Sequence, residues 1–452
     1  MVQNGQRAEG STPTQARRVW TSSFLGSVIE FYDFSIYATA SALVLAPLFF
    51  SEAGPGLGQI LAFATLAIGY VARPIGAMIF GHFGDRIGRK STLIATIVLM
   101  AVSTFLIGCV PTTAQIGQLA PVLLVLLRLL QGISVGGEWG GGVTLSTEHS
   151  TARRRGLMGS ATLAGSAGGV LLGFVAFAVI RPLSGDSFLT WGWRVPFLFT
   201  VVLFGLAFYM RLRVHESPLM STTSERDALP IKTTFVHYPG ALLRAAGIGI
   251  GPFIMQQVLL TFFIAYPVSN LGVSQADMVN ASIVATVINV ALIPLAGLLT
   301  DRIGRRRVLL IGLVLQLINA FLVAPMISTG DYGLILASFA LVAVFHVICF
   351  APLAALLAES FPSRVRYTGV SVSYQLASLV GGFGPLIASL LMGAGLGLPA
   401  VTTLLVVGLA LSLGCALLLP RSNDIDLARV GEDTPGPDPD VNPTPRAVAQ
   451  SG

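Results

Sequence analysis

Twelve long apolar segments constrain this chain more than any other feature of its sequence. A helix needs about 20 mainly apolar residues to cross the hydrocarbon core of a bilayer. Only 11% of the 452 residues are charged, whereas a typical soluble domain is about 25% charged. The sequence therefore predicts an all-α membrane protein with twelve transmembrane helices, at 20–49, 57–81, 92–111, 119–146, 157–180, 194–213, 241–269, 276–299, 308–328, 332–358, 369–393 and 399–420.

The connections divide these helices into two bundles of six. The expected parts are a cytoplasmic tail at 1–19, bundles at 20–213 and 241–420, a cytoplasmic linker at 214–240 and a disordered Pro- and Asp-rich tail at 421–452. All but four of the 27 Lys and Arg residues fall on the side that carries both termini, and such charge accumulates on the cytoplasmic side. Both termini are therefore expected in the cytoplasm. The basic charge indicates orientation and not a nucleic-acid partner.

Features that would indicate an enzyme or a metal site do not stand out. The three cysteines lie in separate predicted spans, so they give neither a disulfide framework nor metal-ligand spacing. The chain shows no metal triad, nucleophile elbow or phosphate-binding loop. We therefore expect no enzyme activity, no metal and no cofactor.

A repeat links the two halves. The segment GHFGDRIGRKSTL from Gly81 returns 216 residues later as GLLTDRIGRRRVL from Gly297, and a second echo pairs Glu148, Arg153 and Gly156 with Glu359, Arg364 and Gly369. A duplicated six-helix unit marked in this way resembles the major facilitator superfamily of secondary transporters.

That resemblance implies two bundles related by an axis along the membrane normal, with substrate held between them. It also implies that the marked loops form a cytoplasmic gate. Asp85 is expected against the positive N-terminal end of the eleventh helix, near Gly369, while Arg86 and Arg89 find acids such as Glu148. The gate residues implied are Gly81, Asp85, Arg86, Gly88, Arg89, Glu148, Arg153, Asp301, Arg302, Gly304, Arg305, Glu359 and Arg364.

Further motifs resemble the metabolite:proton symporters, a subgroup that includes transporters for shikimate, 2-oxoglutarate, citrate and proline or betaine. The motifs are EFYDFSIY from Glu30, RPIGAMIFGHFGDRIGRK from Arg73, RLLQGISVGGEWGG from Arg128, WGWRVPF from Trp191, HESP from His215 and FPSRVRYTG from Phe361. Phe31 stands where the subgroup has Trp. The resemblance implies import of a small organic acid with protons across the cytoplasmic (inner) membrane, by alternating access of a monomer in the lipid bilayer.

Five ionisable residues fall well inside the predicted spans, all in the N-terminal half: Glu30, Asp33, Arg73, Arg128 and Glu138. Such residues cost about 2.5–3.5 kcal/mol each at a helix centre and usually mark ion or substrate paths. Three acids face two bases, so protonating one acid makes the set neutral, which argues against citrate as substrate. The alternative is a static charge network that holds the bundle together.

Helical spacing places Glu30, Asp33 and Tyr37 on one face, and Arg128, Gln131 and Glu138 on another. If the faces meet, Asp33 and Arg128 can pair. Because burial penalises a charged carboxylate and a guanidinium stabilises it, moving Arg128 decides whether Asp33 holds a proton. We expect Asp33, then Glu30, to carry the proton, with Arg128 in proton coupling as the resemblance implies.

Candidate substrate contacts are drawn from both halves: Tyr37, Arg73, Arg128, Gln131, Glu138, Gln256, Gln257, Tyr374 and Gln375. Arg73, beside Pro74, is alternatively a gate residue near the cytoplasmic end. Gln256 and Gln257 follow Gly251-Pro252, where a broken backbone is expected to line a cavity. His346 is expected to be packed, with its polar atoms satisfied.

Three other functions remain open. A zwitterionic osmolyte such as betaine or proline is the main alternative, although the osmosensing members carry a coiled-coil tail and this tail has no heptads. Proton-driven export is less favoured, because helix five reads GSATLAGSAGGVLLG without the Gly-Pro motif of exporters. A receptor or enzyme would be expected to carry a cytosolic domain or catalytic motif.

Overall fold

The fold consists of long apolar helices that follow the predicted spans. The structure, a computed structural model, describes residues 13–219 and 227–419 together with Leu427 and Val430. Within these ranges eleven helices are long and apolar enough to cross a membrane, and the bent first helix makes twelve. The predicted all-α membrane fold is confirmed.

The helices are numbered by span. They are α1 (Pro13–Ala40, Ser41–Leu45, Ala46–Phe49), α2 (Pro55–Ile87), α3 (Arg89–Cys109), α4 (Leu119–Glu148), α5 (Arg155–Ser184), α6 (Val195–Leu212), α7 (Pro239–Gln257, Val258–Phe262, Phe263–Asn270), α8 (Gln275–Ile303), α9 (Arg305–Ser328), α10 (Tyr332–Phe350, Leu353–Glu359), α11 (Arg366–Gly382, Gly384–Gly393) and α12 (Gly397–Leu417). Short helices at Thr113–Ile116 and Pro230–His237 and single 3₁₀ turns at Ser51–Ala53, Ala152–Arg154, Gly185–Ser187, Gly192–Arg194 and Ser363–Val365 connect them.

The same helix pairs pack together in each half. In the N-terminal half α1 lies on α5 and α6, α2 lies on α4, and α3 lies on α4 and α6. In the C-terminal half α7 lies on α11 and α12, α8 lies on α10, and α9 lies on α10 and α12. Adding six to each helix number converts the first set into the second, so the sequence repeat corresponds to a repeated arrangement in space.

Two π-helical turns occupy matching positions in the halves. Ser41–Leu45 interrupts α1 and Val258–Phe262 interrupts α7, and the parts of α1 on either side of its turn differ in direction by 46°. A π-turn is a known cause of sharp helix bends. The break expected at Gly251-Pro252 is therefore misplaced: α7 stays α-helical through Pro252 and changes geometry six residues later.

Glycine allows α2 and α4 to cross in close contact. A Cβ on Gly76 would lie 1.8 Å from the carbonyl oxygen of Ile133, and one on Gly136 would lie 2.1 Å from that of Arg73. Small residues of this kind bring helix backbones together where lipid gives no hydrophobic drive. The close crossing fixes α4, which carries Arg128, against α2, which carries Arg73.

The halves meet mainly through α5 on α8 and α2 on α11, two contacts that the repeat makes equivalent. Both α2 and α8 run past their predicted ends, to Ile87 and Ile303. At those ends Gly88 and Gly304 have φ of 127° and 101°, a region that favours glycine. These glycines turn the chain sharply into α3 and α9 and leave Asp85 and Asp301 facing the opposite half.

Candidate functional site

A buried hydrogen-bonded chain joins α1 to α4 in the N-terminal half. Arg128 donates through Nη1 to Gln131 Oε1, and Gln131 donates through Nε2 to Asp33 Oδ2 and, at 2.9 Å, to Thr104 Oγ1. An amide both accepts and donates, so it can bridge a guanidinium and a carboxylate. The direct pair predicted between Asp33 and Arg128 is thus wrong in detail, because Gln131 stands between them.

Both carboxylates of α1 retain unused hydrogen-bonding capacity. Asp33 and Glu30 are each 1% exposed, and Asp33 Oδ1 and Glu30 Oε2 have no hydrogen-bond partner among the described residues. Glu30 interacts electrostatically with Arg73 and with the acids Glu138 and Asp33. Each acid therefore has an oxygen available to hold a proton.

Aromatic rings surround the two arginines. The Arg128 guanidinium lies 4.1 Å from the centre of the Tyr37 ring, and that of Arg73 lies 4.3 Å from Tyr70 and 5.2 Å from Phe34. Cations are attracted to ring faces, more strongly where water is excluded. Arg73 lies near the middle of α2, so its assignment to a cytoplasmic gate is not supported by its position.

Glu138 belongs to a separate ion pair that the sequence analysis missed. Its carboxylate pairs with Arg211 of α6 and accepts from Thr96 Oγ1 at 2.6 Å, and Arg211 is fully buried. Arg211 lies two residues before the predicted end of helix six and was grouped with the cytoplasmic arginines. Because both carboxylate oxygens of Glu138 are engaged, this pair has the contacts of a structural element, and Glu138 is a poor candidate for substrate binding.

Arg211 changes the charge balance of the interior. The buried acids Glu30, Asp33 and Glu138 face three arginines, not two. With Glu138 and Arg211 paired, two carboxylates face Arg73 and Arg128, and the four groups are neutral when all are ionised. One added proton gives them a single positive charge. The expectation that protonation makes the set neutral was therefore wrong.

A cavity of about 80 Å³ lies between the two halves, with room for several water molecules. The walls come from α1, α5, α7, α8, α10 and α11, and the polar lining residues are Ser166, Gln256, Thr286, Asn289, His346 and Tyr374. Tyr374 stacks on Trp139 of α4 with ring centres 3.5 Å apart, which joins the halves beside the cavity. The buried arginines do not line it, but Tyr374 interacts electrostatically with both Glu30 and Arg73.

Some of the predicted substrate residues line the cavity, and others are bonded elsewhere in the protein. Gln256 and Tyr374 line the cavity, whereas Gln257 donates to the Tyr70 hydroxyl across the interface at 3.1 Å. Tyr37 is fully buried and donates to Thr65 at 2.6 Å. Gln375 is buried, and neither of its amide atoms has a hydrogen-bond partner within the described part of the chain. The cavity also takes in Asn289 and His346, which were not predicted as substrate contacts.

At one end of the helices, the end predicted to be cytoplasmic, a first contact between the halves joins α2 to α11. Asp85 accepts from the backbone N–H groups of Tyr367 and Thr368 at 3.1 and 2.9 Å and from the Thr368 hydroxyl at 2.8 Å. Beside it Glu148 pairs with Arg89 at 3.3 Å and with Arg366 at 2.7 Å. The contact expected between Asp85 and the start of the eleventh helix is thus present. The positive end of the helix stabilises the carboxylate.

The repeat produces the same contact on the opposite side. Asp301 accepts from the N–H groups of Gly156 and Leu157, at 2.8 and 2.9 Å, where α5 begins. Glu359 pairs with Arg305 at 2.8 Å and with Arg155 at 3.1 Å. Two equivalent clusters thus hold the halves together at the end predicted to be cytoplasmic.

Two details of the predicted gate are corrected. Arg155 and Arg366 complete the clusters, two residues after the predicted Arg153 and Arg364, and Arg364 instead donates to the Tyr238 hydroxyl at 2.7 Å. Arg86 and Arg302 are exposed, so Arg89 and Arg305 make the buried pairs. Gly81, also predicted as a gate residue, packs closely against α11, since a Cβ there would lie 2.7 Å from Thr368 Cα.

The linker adds a contact that sequence reasoning missed. The Glu216 carboxylate accepts from the N–H groups of Arg89 and Lys90 at 3.0 and 3.2 Å, and the Ser217 hydroxyl donates to Glu148. Burial lowers the pKa of the neighbouring His149, so its imidazole adds no positive charge beside Glu148 at neutral pH. Residues 220–226 of the predicted linker lie outside the described residues.

Part of the C-terminal segment also reaches the gate. The carbonyl oxygen of Leu427 accepts from Arg366 Nη2 at 2.8 Å, and both residues are buried. The remainder of the tail predicted to be disordered, apart from Val430, lies outside the described residues.

Comparison with known sequences gives one family and several relatives. The chain matches the family described as Sugar (and other) transporter over residues 19–228 and 231–432. It is 37% identical over 418 residues to the inner membrane metabolite transport protein YhjE of Escherichia coli strain K12, covering 89% of this chain and 95% of that protein. Identity is 35% with the shikimate transporter (84% and 88% covered) and 33% with the proline/betaine transporter (83% and 78% covered) of the same strain.

Comparison with solved structures also finds a transporter with a similar fold. The structure of the proton:xylose symporter XylE, of the major facilitator superfamily, bound to 6-bromo-6-deoxy-D-glucose, matches with a TM-score of 0.74 and 19% identity, covering 93% of this chain and 99% of that one. At this identity the likeness concerns the fold alone.

Proposed function

The chain belongs to the Sugar (and other) transporter family of the major facilitator superfamily and is a multi-pass membrane transporter of metabolites, and from this premise we propose that it imports a small organic acid together with protons. The observation that carries the proposal is the buried chain from Arg128 through Gln131 to Asp33. It connects a group that binds anions to a group that binds protons.

Coupling follows from competition for Arg128. In the unloaded state Gln131 holds the charged Asp33 by a hydrogen bond and is itself held by Arg128. A substrate carboxylate that binds Arg128 accepts the hydrogen bond that Arg128 otherwise donates to Gln131. The Gln131 amide is then free to turn. Asp33 then loses its stabilising link in a buried site and takes up a proton. Anion binding and proton binding thus favour each other.

The charge balance supports a substrate with one negative charge. The two carboxylates and two arginines outside the Glu138 pair are neutral when ionised, and one proton leaves a single positive charge. A monoanion neutralises it, so the loaded interior carries no net charge when the halves move. A citrate-like trianion would leave uncompensated negative charge in a buried site, which is costly.

In the proposed transport cycle the protein is closed in turn on the cytoplasmic side and on the opposite side of the membrane. The two cytoplasmic clusters would open together, because the repeat makes them equivalent, and would release substrate and proton inward. We place both termini in the cytoplasm from the distribution of Lys and Arg. One chain carries both halves, so a monomer is the proposed unit of transport, in the inner membrane.

Uptake into proteoliposomes tests the proposal. Asp33→Asn is expected to abolish accumulation against a gradient while sparing counterflow, because the amide still accepts from Gln131 but cannot carry the proton. Arg128→Ala is expected to weaken anion binding as well as coupling. Asp186→Asn, which changes an exposed acid at the α5–α6 connection, is the matched control. Full concentrative uptake by the Asp33 variant would refute its coupling role.

A zwitterionic osmolyte is the second candidate, because aromatic rings also surround the cavity. Phe31, Phe253, Phe350 and Tyr374 line it, and such rings attract quaternary ammonium groups. Thermal stabilisation of the purified protein by a panel of acids and osmolytes separates the two, since a ligand that binds only the folded state raises its unfolding temperature. A shift with monocarboxylates that strengthens at low pH supports the acid. A shift with betaine or proline alone supports the osmolyte.

A further inference from the structure

The C-terminal wall of the cavity carries a buried histidine and a half-buried asparagine, and each has one buried polar atom without a hydrogen-bond partner among the described residues. His346 on α10 and Asn289 on α8 both line the cavity, and His346 Nδ1 and Asn289 Oδ1 have no hydrogen-bond partner among the described residues. His346 is 4% exposed and its ring stacks on Phe350 with centres 4.6 Å apart. His346 is therefore packed as expected, but the expectation that its polar atoms are all satisfied is wrong, because Nδ1 has no partner among the described residues.

Buried polar atoms of this kind are rare in folded proteins and call for an explanation. These two lie on adjacent helices, since α8 packs on α10, and they face one cavity. The stacking on Phe350 limits how far the His346 ring can turn away. The arrangement presents hydrogen-bonding groups toward the cavity before any ligand enters.

We propose that His346 and Asn289 form a subsite for hydroxyl groups, and that the substrate is a hydroxylated monocarboxylic acid. A neutral imidazole and an amide each offer a donor and an acceptor, which is the set that a hydroxyl group requires. Ser166, Thr286 and Gln256 add further neutral polar groups to the same lining. This inference rests on the proposed function, because it names the chemical class of the acid.

The position of Tyr374 gives the substrate a direction. Tyr374 lines the cavity and interacts electrostatically with Arg73 and Glu30, so the charged groups lie beyond it on the N-terminal side. The carboxylate is therefore directed toward Tyr374 and the arginines, and the hydroxyl groups toward His346 and Asn289. A betaine has no hydroxyl groups and would leave both side chains unsatisfied.

Paired probes that differ only in hydroxylation test the subsite. The pairs are shikimate and cyclohex-1-ene-1-carboxylate, gluconate and hexanoate, and lactate and propionate, measured by their binding to the full-length protein. A buried site that hydrogen-bonds a hydroxyl group rejects the analogue that lacks it, so we expect at least one hydroxylated acid to bind about tenfold or more tightly than its partner. No preference for hydroxylated acids in any pair overturns the inference.

Variants then locate the preference. His346→Phe keeps the ring on Phe350 and Asn289→Leu keeps the volume, and each is expected to reduce the preference through weaker binding of the hydroxylated acid alone. His346→Gln should restore part of it. Asn319→Leu, at a buried amide on α9 outside the cavity lining, is the matched control and should keep the preference. If the double variant His346→Phe/Asn289→Leu folds normally and its preference for the hydroxylated acid is unchanged, the assignment of the subsite is overturned.

The two proposals fail differently. Equal binding of both members of a pair, with proton uptake on transport, overturns the hydroxyl subsite and leaves organic acid symport standing. Binding of glycine betaine or proline with no acid bound overturns both.

Discussion

Replacement of Asp85 by Asn is the sharpest test of the cytoplasmic gate. The carboxylate accepts from two backbone N–H groups at the start of α11 and from the Thr368 hydroxyl. An amide keeps one acceptor oxygen and turns an NH₂ group toward the other N–H. The variant therefore loses a hydrogen bond to a charged group, worth about 1.5–3 kcal/mol, and the favourable interaction with the helix end, worth about 0.3–1 kcal/mol.

In the proposed transport cycle these contacts break when the halves open on the cytoplasmic side. A loss of about 2 kcal/mol shifts the ratio of closed to open protein about thirtyfold toward the open form. Distances between spin labels at Ile87 and Ile303, both exposed at the cytoplasmic ends of opposite halves, report that ratio. The three native cysteines are replaced beforehand.

Two further variants make the result interpretable. Asp301→Asn removes the equivalent contact at α5 and should shift the distances in the same direction. Asp331→Asn removes an exposed N-cap of α10 that bonds only within its own half, and it should leave them unchanged. The reasoning is refuted if Asp85→Asn keeps the wild-type distance distribution, or if Asp331→Asn shifts it equally.

Three other changes have defined outcomes. Glu138→Gln leaves Arg211 buried without an anion and should destabilise the protein by about 3–5 kcal/mol, measured as a lower unfolding temperature in detergent. The additional change Arg211→Met should largely reverse this loss, and a wild-type melting curve for Glu138→Gln would contradict the prediction. Gly76→Val places its side chain against α4 and should lower the yield of folded protein, whereas Gly205→Val, which meets open space, should not. Ending the chain at residue 420 removes the hydrogen bond from Arg366 to the Leu427 carbonyl and should favour the form open to the cytoplasm by about 1 kcal/mol. An unchanged distance between the spin labels would refute this prediction.

The sequence predicted the fold because its two strongest signals are local. Apolar length identifies membrane spans without knowledge of packing, and the doubled loop identified the repeat. The contact of Asp85 with α11 was expected from the family resemblance that this loop carries, together with the attraction of a carboxylate to the positive end of a helix.

Side-chain partners were harder to predict, because they depend on how helices rotate against each other. Arg211 looked like one of several cytoplasmic arginines, and only the packing of α6 against α3 buries it beside Thr96 and Glu138. A fully buried charge and its partner lie on different helices, and spacing along one helix cannot place them together. The same limit explains the two-residue error that substituted Arg153 for Arg155.

His346 shows the opposite failure. A lone histidine in an apolar helix usually has its polar atoms satisfied, so nothing in the sequence singled out His346 as a ligand contact. Its significance comes from a cavity that α1, α5, α7, α8, α10 and α11 enclose jointly. No signal in the sequence of α10 alone reports that cavity.

The two halves repeat in their gates but differ in their interiors, and this difference bears on coupling. Equivalent acids, Asp85 and Asp301, each bond to the start of a helix in the opposite half, so separating the halves at this end requires the same contacts to break twice. The charged groups Glu30, Asp33, Arg73 and Arg128 lie in one half alone, whereas the facing half offers neutral groups such as Asn289. A symmetric gate allows both contacts to break in one movement of the two halves against each other. In the proposed coupling, a single proton changes the net charge of the asymmetric interior, so that this movement depends on whether anion and proton are bound together.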